Sequence, residues 1–506
     1  MANHSGVYLP EASPTWDTYD NVFTFHSIHG DYLLPGQEER VEVWNTFLTG
    51  QLLSSVDVTD SQGLELVQPI AAPTTFAPLE ARVYVVRLDS STGAAVKADY
   101  TFVFPSNTPS ASVSATKVNI VNFPPSWTAP FVEKVEWATK VLPHYDGSEQ
   151  RIKVRKIPRK SFSYPIILTD KSRMDLNHAL WGGQGQVWSV PMWSSLTQLT
   201  APAGIGDKTI YVDTTGVNFV AGGFLTIWAD RSMGEVAKIL TFTSTTVTLD
   251  TGLTIAWTKG VPVYPSVLAR APKKVSMTLL NPDIYSGNLE FSTVGAEDET
   301  AVDSATTYRG LPVMAVPPYW VKPINVVMDR DIVVLENLAG EEEFDDTTGF
   351  THVTNTYHWV IQGREKAKEF REWIFARKGK LMEFWAPSYQ PDFTMFDPNL
   401  ASYTSISVAN VGFTKSGSLG VGRQDLCIYR KDGTKVYSRI SSSVEVSAVE
   451  EILTVSWLGS FLKAEDVYMI SFLTPSRLGG DTVELVWRNP QLLEVSSTVV
   501  GLSYDV

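Results

Sequence analysis

Short runs rich in β-branched and aromatic residues recur along most of the chain, separated by Gly, Pro, Asp and Ser. Such runs at close spacing, with turn residues between them, are typical of β-strands. The pattern therefore predicts a small β-sandwich behind a partly extended arm in residues 1–116. Its clearest strands are Leu52–Val58, Leu64–Pro69, Arg82–Leu88 and Tyr100–Phe104.

Beyond this region the predicted order is strands, a helix, a Pro-aromatic strand and an inserted β unit, and this order occurs twice. The second helix, Arg364–Lys378, has a clearer pattern than the first, Lys171–Trp181. Steps of three and four residues gather its apolar side chains on one face, and Gly379 is suited to end it. That face consists of Ala367, Phe370, Trp373 and Ile374. We therefore expect the second helix to pack against its own sheet.

Matching segments at fixed spacing indicate that this order arose by duplication. Pro124–Pro130 (PPSWTAP) recurs 193 positions later as Pro317–Pro323 (PPYWVKP). Asn281-Pro282 recurs 208 positions later as Asn489-Pro490. An offset that grows along the chain is what loop insertions in a duplicated domain produce. The sequence thus predicts two copies of one domain.

These patterns predict a mainly β fold with three parts. Residues 1–116 form the arm and the N-terminal sandwich, residues 117–300 form repeat 1, and residues 312–506 form repeat 2. Each repeat is expected to combine β-strands with one helix. The inserted small β units span about 200–262 and about 402–466. The acidic, Thr-rich segment Gly295–Arg309 is the predicted linker between the repeats.

Composition narrows the functional classes. The formal net charge of −14 argues against a protein that grips nucleic acid, because phosphate binding needs a basic surface. No apolar run reaches the roughly 20 residues of a membrane-spanning helix, so no membrane insertion is expected. The single cysteine, Cys427, excludes an intrachain disulfide framework and a multi-cysteine zinc site.

Candidate catalytic and metal-binding residues are few. His26, His29 and Asp31 could form a metal site, but a polar loop is the favoured interpretation. Cys427 lies in a strand-like run and is predicted to be a buried small hydrophobe. The sequence contains no Gly-x-Ser-x-Gly, His-Glu-x-x-His or Walker pattern. We therefore predict no enzymatic activity, no metal and no cofactor.

Four tryptophans at matched or nearly matched repeat positions allow two interpretations. Trp127, Trp320, Trp188 and Trp385 could stack on sugar rings, as in a carbohydrate-binding or carbohydrate-cleaving β protein. Their placement favours core packing shared by the two copies. Burial of Trp127 and Trp320 would support packing, whereas their exposure on a groove would support sugar binding.

The two copies differ most in charge. Residues 149–160 carry six basic residues, whereas residues 342–353, which lie 193 positions later, carry four acidic residues and no Lys or Arg. One interpretation is that these are solvated strands that drifted independently. The other is that repeat 1 of one subunit docks beside repeat 2 of the next, with opposite charges enforcing alternation. The interface residues would be Arg151, Lys153, Arg155 and Lys156 against Glu342, Glu343, Asp345 and Asp346.

Two groups of residues resemble tail proteins of tailed bacteriophages. The first is Trp137–Val141, Asp146–Arg151 and Ile157–Arg159 in repeat 1. The second is Phe370–Asp392 in repeat 2, which contains an apolar helix, a basic Gly turn and a Phe-Trp-x-Pro strand. Each copy thus carries a different half of the signature. On these residues the chain resembles a distal-tail or baseplate-hub protein.

This resemblance implies tail-tube-like β-sandwich domains that close into a ring around a DNA channel. Tube rings in this family are usually hexameric and tip proteins are often trimeric. Three chains with two tube-like domains each would form a pseudo-sixfold ring, so a trimer is favoured over a hexamer. The expected partners are the tail tube protein and other baseplate or hub proteins, while DNA passes through the lumen without specific binding. The expected location is the virion tail, after synthesis in the host bacterial cytoplasm.

Overall fold

The chain is a mainly β protein in a computed structural model, as the sequence predicted, and it divides into two compact units. Unit 1 contains residues 1–131 and 161–295, and unit 2 contains residues 132–160 and 296–506. Within the described residues, no helix has the length and apolar character needed to cross a membrane. The structure describes residues 20–26, 32–33, 38–62, 64–88, 95–230, 233–295, 301–303, 306–336, 338, 340–396, 403–416, 419–456, 458–459 and 462–503.

The first ten strands build a β-sandwich in unit 1. They are β1 (Val22–His26), β2 (Tyr32–Leu33), β3 (Glu38–Asn45), β4 (Gln51–Leu53), β5 (Ser55–Gln62), β6 (Leu64–Val67), β7 (Thr74–Phe76), β8 (Ala81–Leu88), β9 (Ala95–Val103) and β10 (Ser110–Ile120). One sheet has the order β1-β3-β8-β6, and β9 pairs with β5 and β10 in a second sheet. Residues of both sheets, such as Val43, Tyr84, Phe102 and Val113, share one core.

The next three strands form an arm that belongs to unit 2. They are β11 (Phe131–Glu136), β12 (Thr139–Pro143) and β13 (Glu149–Lys153). β12 and β13 form an antiparallel hairpin in which Val141 is paired with Arg151. We call residues 132–160 the first arm. The chain returns to unit 1 at Ser161.

The rest of unit 1 contains a sheet, one helix and an inserted β unit. The elements are β14 (Arg159–Thr169), α1 (Asp170–Gly183), β15 (Val187–Pro191), β16 (Thr197–Gln198), β17 (Thr209–Tyr211), β18 (Phe224–Asp230), β19 (Met233–Phe242), β20 (Thr246–Leu249), β21 (Pro262–Arg270), β22 (Met277–Asn281) and β23 (Ile284–Thr293). β23 pairs with β14 and β22, and β15 pairs with β21, all antiparallel. The inserted unit has its own core, which includes Ile210, Leu225, Ile239 and Trp257.

Unit 2 also contains a sheet, helices and a group of strands with its own core. Its elements are β24 (Thr307–Tyr308), β25 (Leu311–Pro312), β26 (Asn325–Leu335), β27 (Glu343–Gln362), α2 (Arg364–Arg377), β28 (Phe384–Pro387), β29 (Ser405–Ala409), α3 (Phe413–Ser416), β30 (Asp425–Arg430), β31 (Lys435–Ser447), β32 (Glu450–Val455), β33 (Val467–Leu478), β34 (Thr482–Asn489) and β35 (Leu492–Gly501). β35 pairs with β27 and β34, and β28 pairs with β33. We call residues 325–353 the second arm, because β26 and the first part of β27 form a long hairpin there.

Helix α2 confirms the prediction made from its sequence pattern. All four residues of the predicted apolar face are buried. Lys378 (φ 50°) and Gly379 (φ 67°) adopt the left-handed conformation that ends the helix. A Cβ at Gly379 would lie 2.4 Å from a carboxylate oxygen of Asp481, so only glycine fits. Helix α1 extends beyond the predicted Trp181, because the two glycines expected to close it form its last turn.

Candidate functional site

The first arm docks on the edge of the unit 2 sheet and beside α2. Strand β11 pairs with β34, which is a common way for a segment to add to a sheet edge. Asp481 precedes β34 and binds both the arm and the turn after the helix. Its backbone carbonyl accepts the N–H of Trp137 at 2.8 Å. Its carboxylate accepts the N–H groups of Thr139 at 2.7 Å and Lys380 at 3.0 Å.

A buried ion pair lies beneath the arm. Glu133 of β11 accepts from the Arg371 guanidinium of α2, with Nη2–Oε1 at 2.5 Å and Nε–Oε2 at 3.1 Å. Both side chains are almost completely buried, and the guanidinium also lies 4.6 Å from the ring centre of Phe375. Removing one partner would leave a charge buried without compensation, which is strongly destabilising. The pair therefore ties the arm to the helix in one register.

An aromatic contact extends this interface toward the end of the helix. Trp137 follows β11 and packs edge-on against Phe375, with ring centroids 5.6 Å apart. Both side chains are buried. Two aromatic residues contribute large apolar areas and a preferred edge-to-face geometry. This contact makes the arm part of the hydrophobic core around α2.

The tip of the arm is held by charged hydrogen bonds. Arg477 of β33 donates to both carboxylate oxygens of Glu149, at 2.5 and 2.9 Å. Arg151 donates to the carbonyl of Leu381 at 2.9 Å and forms an ion pair with Glu383. Bidentate pairs of this kind fix orientation as well as position. Arg151, predicted from sequence as a subunit-interface residue, is thus used inside unit 2.

The other predicted interface residues lie mainly at the surface. Lys153 and Lys156 are exposed, and Arg155 donates to the carbonyl of Glu136 at 2.7 Å. Among the acidic residues of the second arm, Asp346 forms an ion pair with Arg330, and that hydrogen bond lowers the pKa of its carboxyl. Glu342, Glu343 and Asp345 are exposed.

Two groups of residues singled out in the sequence, Trp137–Arg151 and Phe370–Asp392, meet at the docked arm. Trp137 and Arg151 come from the first group and contact Phe375 and Leu381 of the second. The sequence analysis singled out both groups but did not predict that they are in contact. The contact could have been predicted from the fact that each repeat carries only one of the two groups. Two surfaces that bind each other need to occur only once each. Glu133 was missed altogether, since an isolated acidic residue in a strand carries no local pattern.

The sheets of the two units have the same strand registers after the sequence offset. In unit 1, Thr169 pairs with Ile284, and in unit 2 the residues 193 and 208 positions later, Gln362 and Leu492, pair in the same way. β22–β23 and β34–β35 also share an irregularity, which precedes Asn281 in one sheet and Asn489 in the other. These matches support treating corresponding positions of the two units as equivalent.

The tryptophans divide into two groups. Trp188 and Trp385 are buried, as predicted. The prediction that Trp320 is a core residue is wrong, because its side chain is 57% exposed. Trp127 is half-buried and lies in a loop with a positive φ. A matched repeat position therefore did not fix burial, although both residues follow a Pro-Pro pair outside the strands.

Other candidate chemistry is sparse. Cys427 is buried as predicted, and burial raises the pKa of its thiol to about 11, so it is a neutral thiol at pH 7. A cavity of about 800 Å³ beside α2 is lined largely by apolar side chains. In the part of the chain that the structure describes, no group of three or more His, Cys, Asp or Glu could hold a metal ion. His29, Asp31 and the side chain of His26 lie outside the described residues.

Comparison with known proteins does not assign the chain to a family. No protein-family model matches the sequence. No curated protein matches it either.

Proposed function

We propose that the chain is a non-enzymatic structural protein of a phage tail tip. It forms a ring that joins the tail tube to the baseplate or hub and surrounds the DNA channel. The proposal takes its location in the tail from the resemblance of Trp137–Arg151 and Phe370–Asp392 to phage tail proteins. It takes its assembly mode from the geometry of the docked arm.

The docked arm is the observation that carries the proposal. Residues 132–160 belong to repeat 1 by sequence, yet they fold as part of unit 2. A contact made by the arm of one module and the helix and sheet edge of another is heterologous, because two different surfaces meet. Heterologous contacts between repeated modules generate closed rings when the rotation closes. Three chains would supply six modules, so we favour a trimer, with a hexamer as the second arrangement.

The net charge fits a ring through which DNA passes. With a formal net charge of −14, the surface as a whole repels phosphate, so DNA would slide without adhering. In this role the tail tube protein and other baseplate or hub proteins are the neighbours.

The test is the native mass of the purified protein together with ring averages from electron microscopy. A closed trimer has a mass of about 168 kDa, three times the 55.9 kDa of one chain, and should show six similar lobes. A sixfold ring would keep the tail function and change the stoichiometry. A protein that remains monomeric at high concentration and binds no tail tube protein would contradict the proposal.

Exposed Trp320 favours a second candidate function, which is carbohydrate binding. Tyr319 and Val321 beside it are exposed too, so the three side chains offer an apolar surface on which a sugar ring could stack. A polysaccharide pull-down tests this, with Trp320→Ala as the variant and Trp181→Ala as an exposed-tryptophan control. Retention that is lost only in Trp320→Ala would favour sugar binding, and no retention of the unaltered protein would exclude it for the polysaccharides used.

A further inference from the structure

The two arms are built alike. In the first arm Val141 pairs with Arg151, and in the second arm the residues 193 positions later, Val334 and Phe344, pair in the same register. Each arm also precedes the strand that leads into the helix of its module. The second arm is therefore the structural counterpart of the first.

Their surroundings differ. The first arm is covered by α2 and by the edge strand β34. In the second arm, every residue of β26 is exposed, although seven of its eleven residues are Val, Ile, Leu or Met. Met328 is 67% exposed and Phe344 is 64% exposed. A long, apolar, uncovered hairpin is a typical docking element, because its burial would remove much apolar surface from water.

In unit 1, the residues at the positions that the first arm covers in unit 2 are exposed. Helices α1 and α2 have the same length, so their alignment places Trp181 at the position of Phe375. Phe375 is 5% exposed beneath Trp137, whereas Trp181 is 96% exposed. The edge strand shows the same contrast, since Trp487 of β34 is buried and its counterpart Leu279 of β22 is exposed. Among the described residues, unit 1 thus presents the counterpart of this face with Trp181 and Leu279 exposed and no arm paired to β22.

The length of the edge strand points the same way. β34 begins at Thr482, but its pairing with β35 starts only at Leu485. β22 begins at Met277, the counterpart of Leu485, so it lacks the three residues that β34 has beyond β35. β11 is the additional partner of β34. The shorter β22 is what an edge strand without its arm would show.

Charges at the counterpart positions are also compatible with docking. Arg477 is paired with Val500 in its sheet, and Arg270 occupies the same place because it is paired with Ser292. Glu342 is the counterpart of Glu149, which binds Arg477. Glu342 and Arg270 are both exposed and of opposite charge. They can therefore form the pair that Glu149 and Arg477 form within unit 2.

The buried ion pair of Glu133 and Arg371 is replaced by uncharged residues, both on the second arm and on α1. Val326 lies at the position of Glu133, and Asn177 lies at the position of Arg371. Docking of the second arm on such a face would bury no unpaired charge, which is the main cost at this point of the interface. Lys273 and Lys274, next to the edge strand, add positive charge opposite the acidic tip of the arm.

We propose that the second arm of one chain docks on the α1 and β22 face of another copy, with β26 adding to β22 and Glu342 pairing with Arg270. The contact is heterologous, so each copy gives one arm and receives one. Strand addition with an apolar hairpin can supply the area that a stable interface needs, on the order of 1,200 Å² or more. This docking rests on the self-assembly part of the proposed function and is independent of the place in a virion.

Cross-linking tests the contact directly. One preparation carries Glu342→Cys and the other carries Arg270→Cys, and the two are mixed and treated with a short bismaleimide. The native thiol, Cys427, is buried and neutral at pH 7, so it should not react. We expect a covalent dimer only in the mixture. Glu149→Cys with Arg477→Cys in one chain is the matched control, and it should give a link within the chain.

Two outcomes would overturn the docking proposal. They differ in whether they also contradict the proposed ring function. Rings or trimers that form without a link between residues 342 and 270 would exclude this docking and leave the ring function standing. A protein that stays monomeric and gives no link would exclude both the docking and self-assembly.

A substitution on the arm gives an independent readout. Phe344→Asp should weaken self-association by about tenfold or more, because a buried aromatic anchor would become a buried charge. Val446→Asp, on the exposed part of β31, is the matched control and should leave association unchanged. Both side chains are exposed within one chain, so the unfolding midpoint of the monomer should not move. Equal association of the two variants would contradict the docking.

Discussion

The two arms share one backbone register and have opposite environments. The first arm carries Glu133, Trp137 and Arg151, and each of these contacts unit 2. The second arm has Val326, Arg330 and Phe344 at the counterpart positions, and its apolar side chains are exposed. The comparison teaches that one backbone register can carry both a covered arm and an exposed one, so the side chains decide which arm is covered within the chain. Substitutions at counterpart positions test this difference.

The largest effect is expected at the buried ion pair. Glu133→Ala should lower the free energy of unfolding by about 3–5 kcal/mol, because Arg371 would stay buried without a partner. Denaturant unfolding measures the loss. Changing both partners to the residues of the other copy, Glu133→Val with Arg371→Asn, should recover much of the stability. If the double variant were as unstable as the single one, the pair would not explain the difference between the arms.

A smaller effect is expected at the aromatic contact. Trp137→Ala should cost about 3 kcal/mol, because a buried indole is lost from its packing on Phe375. Trp181→Ala in unit 1 should change monomer stability by less than about 0.5 kcal/mol, because that side chain is exposed. Thermal unfolding of the two variants at equal concentration gives the comparison. Equal losses would mean that Trp181 is already covered.

The smallest effect on stability is expected at the arm tips. Glu149→Gln should cost about 1.5 kcal/mol, since it weakens a charged bidentate hydrogen bond with Arg477. Glu342→Gln should leave the monomer unchanged and weaken only self-association. Denaturant unfolding and native mass separate the two properties. A stability loss in Glu342→Gln would place that carboxylate in a contact within the chain.

Local patterns predicted much of the fold. The β-strands, the apolar face of α2 and the left-handed Gly379 follow from short-range periodicity and backbone preference. The docked arm could not be predicted in this way, because Glu133 and Arg371 are 238 positions apart. The burial of Trp320 was predicted wrongly, because matching positions in two repeats need not be equally buried. The charge contrast between the arms was visible in the sequence, but the use of Arg151 within the chain was not.

The wide separation of Glu133 and Arg371 has a consequence during synthesis. At about 5–20 residues per second, a ribosome needs on the order of 10–50 s to make the 238 positions between them. For that interval the first arm has emerged and its acceptor helix does not yet exist. Its charged residues would keep it hydrated while it waits, and the edge strand β34 arrives later still. Unit 2 can thus be completed only after α2 and β34 have been made, long after its first strands, β11–β13, were synthesised.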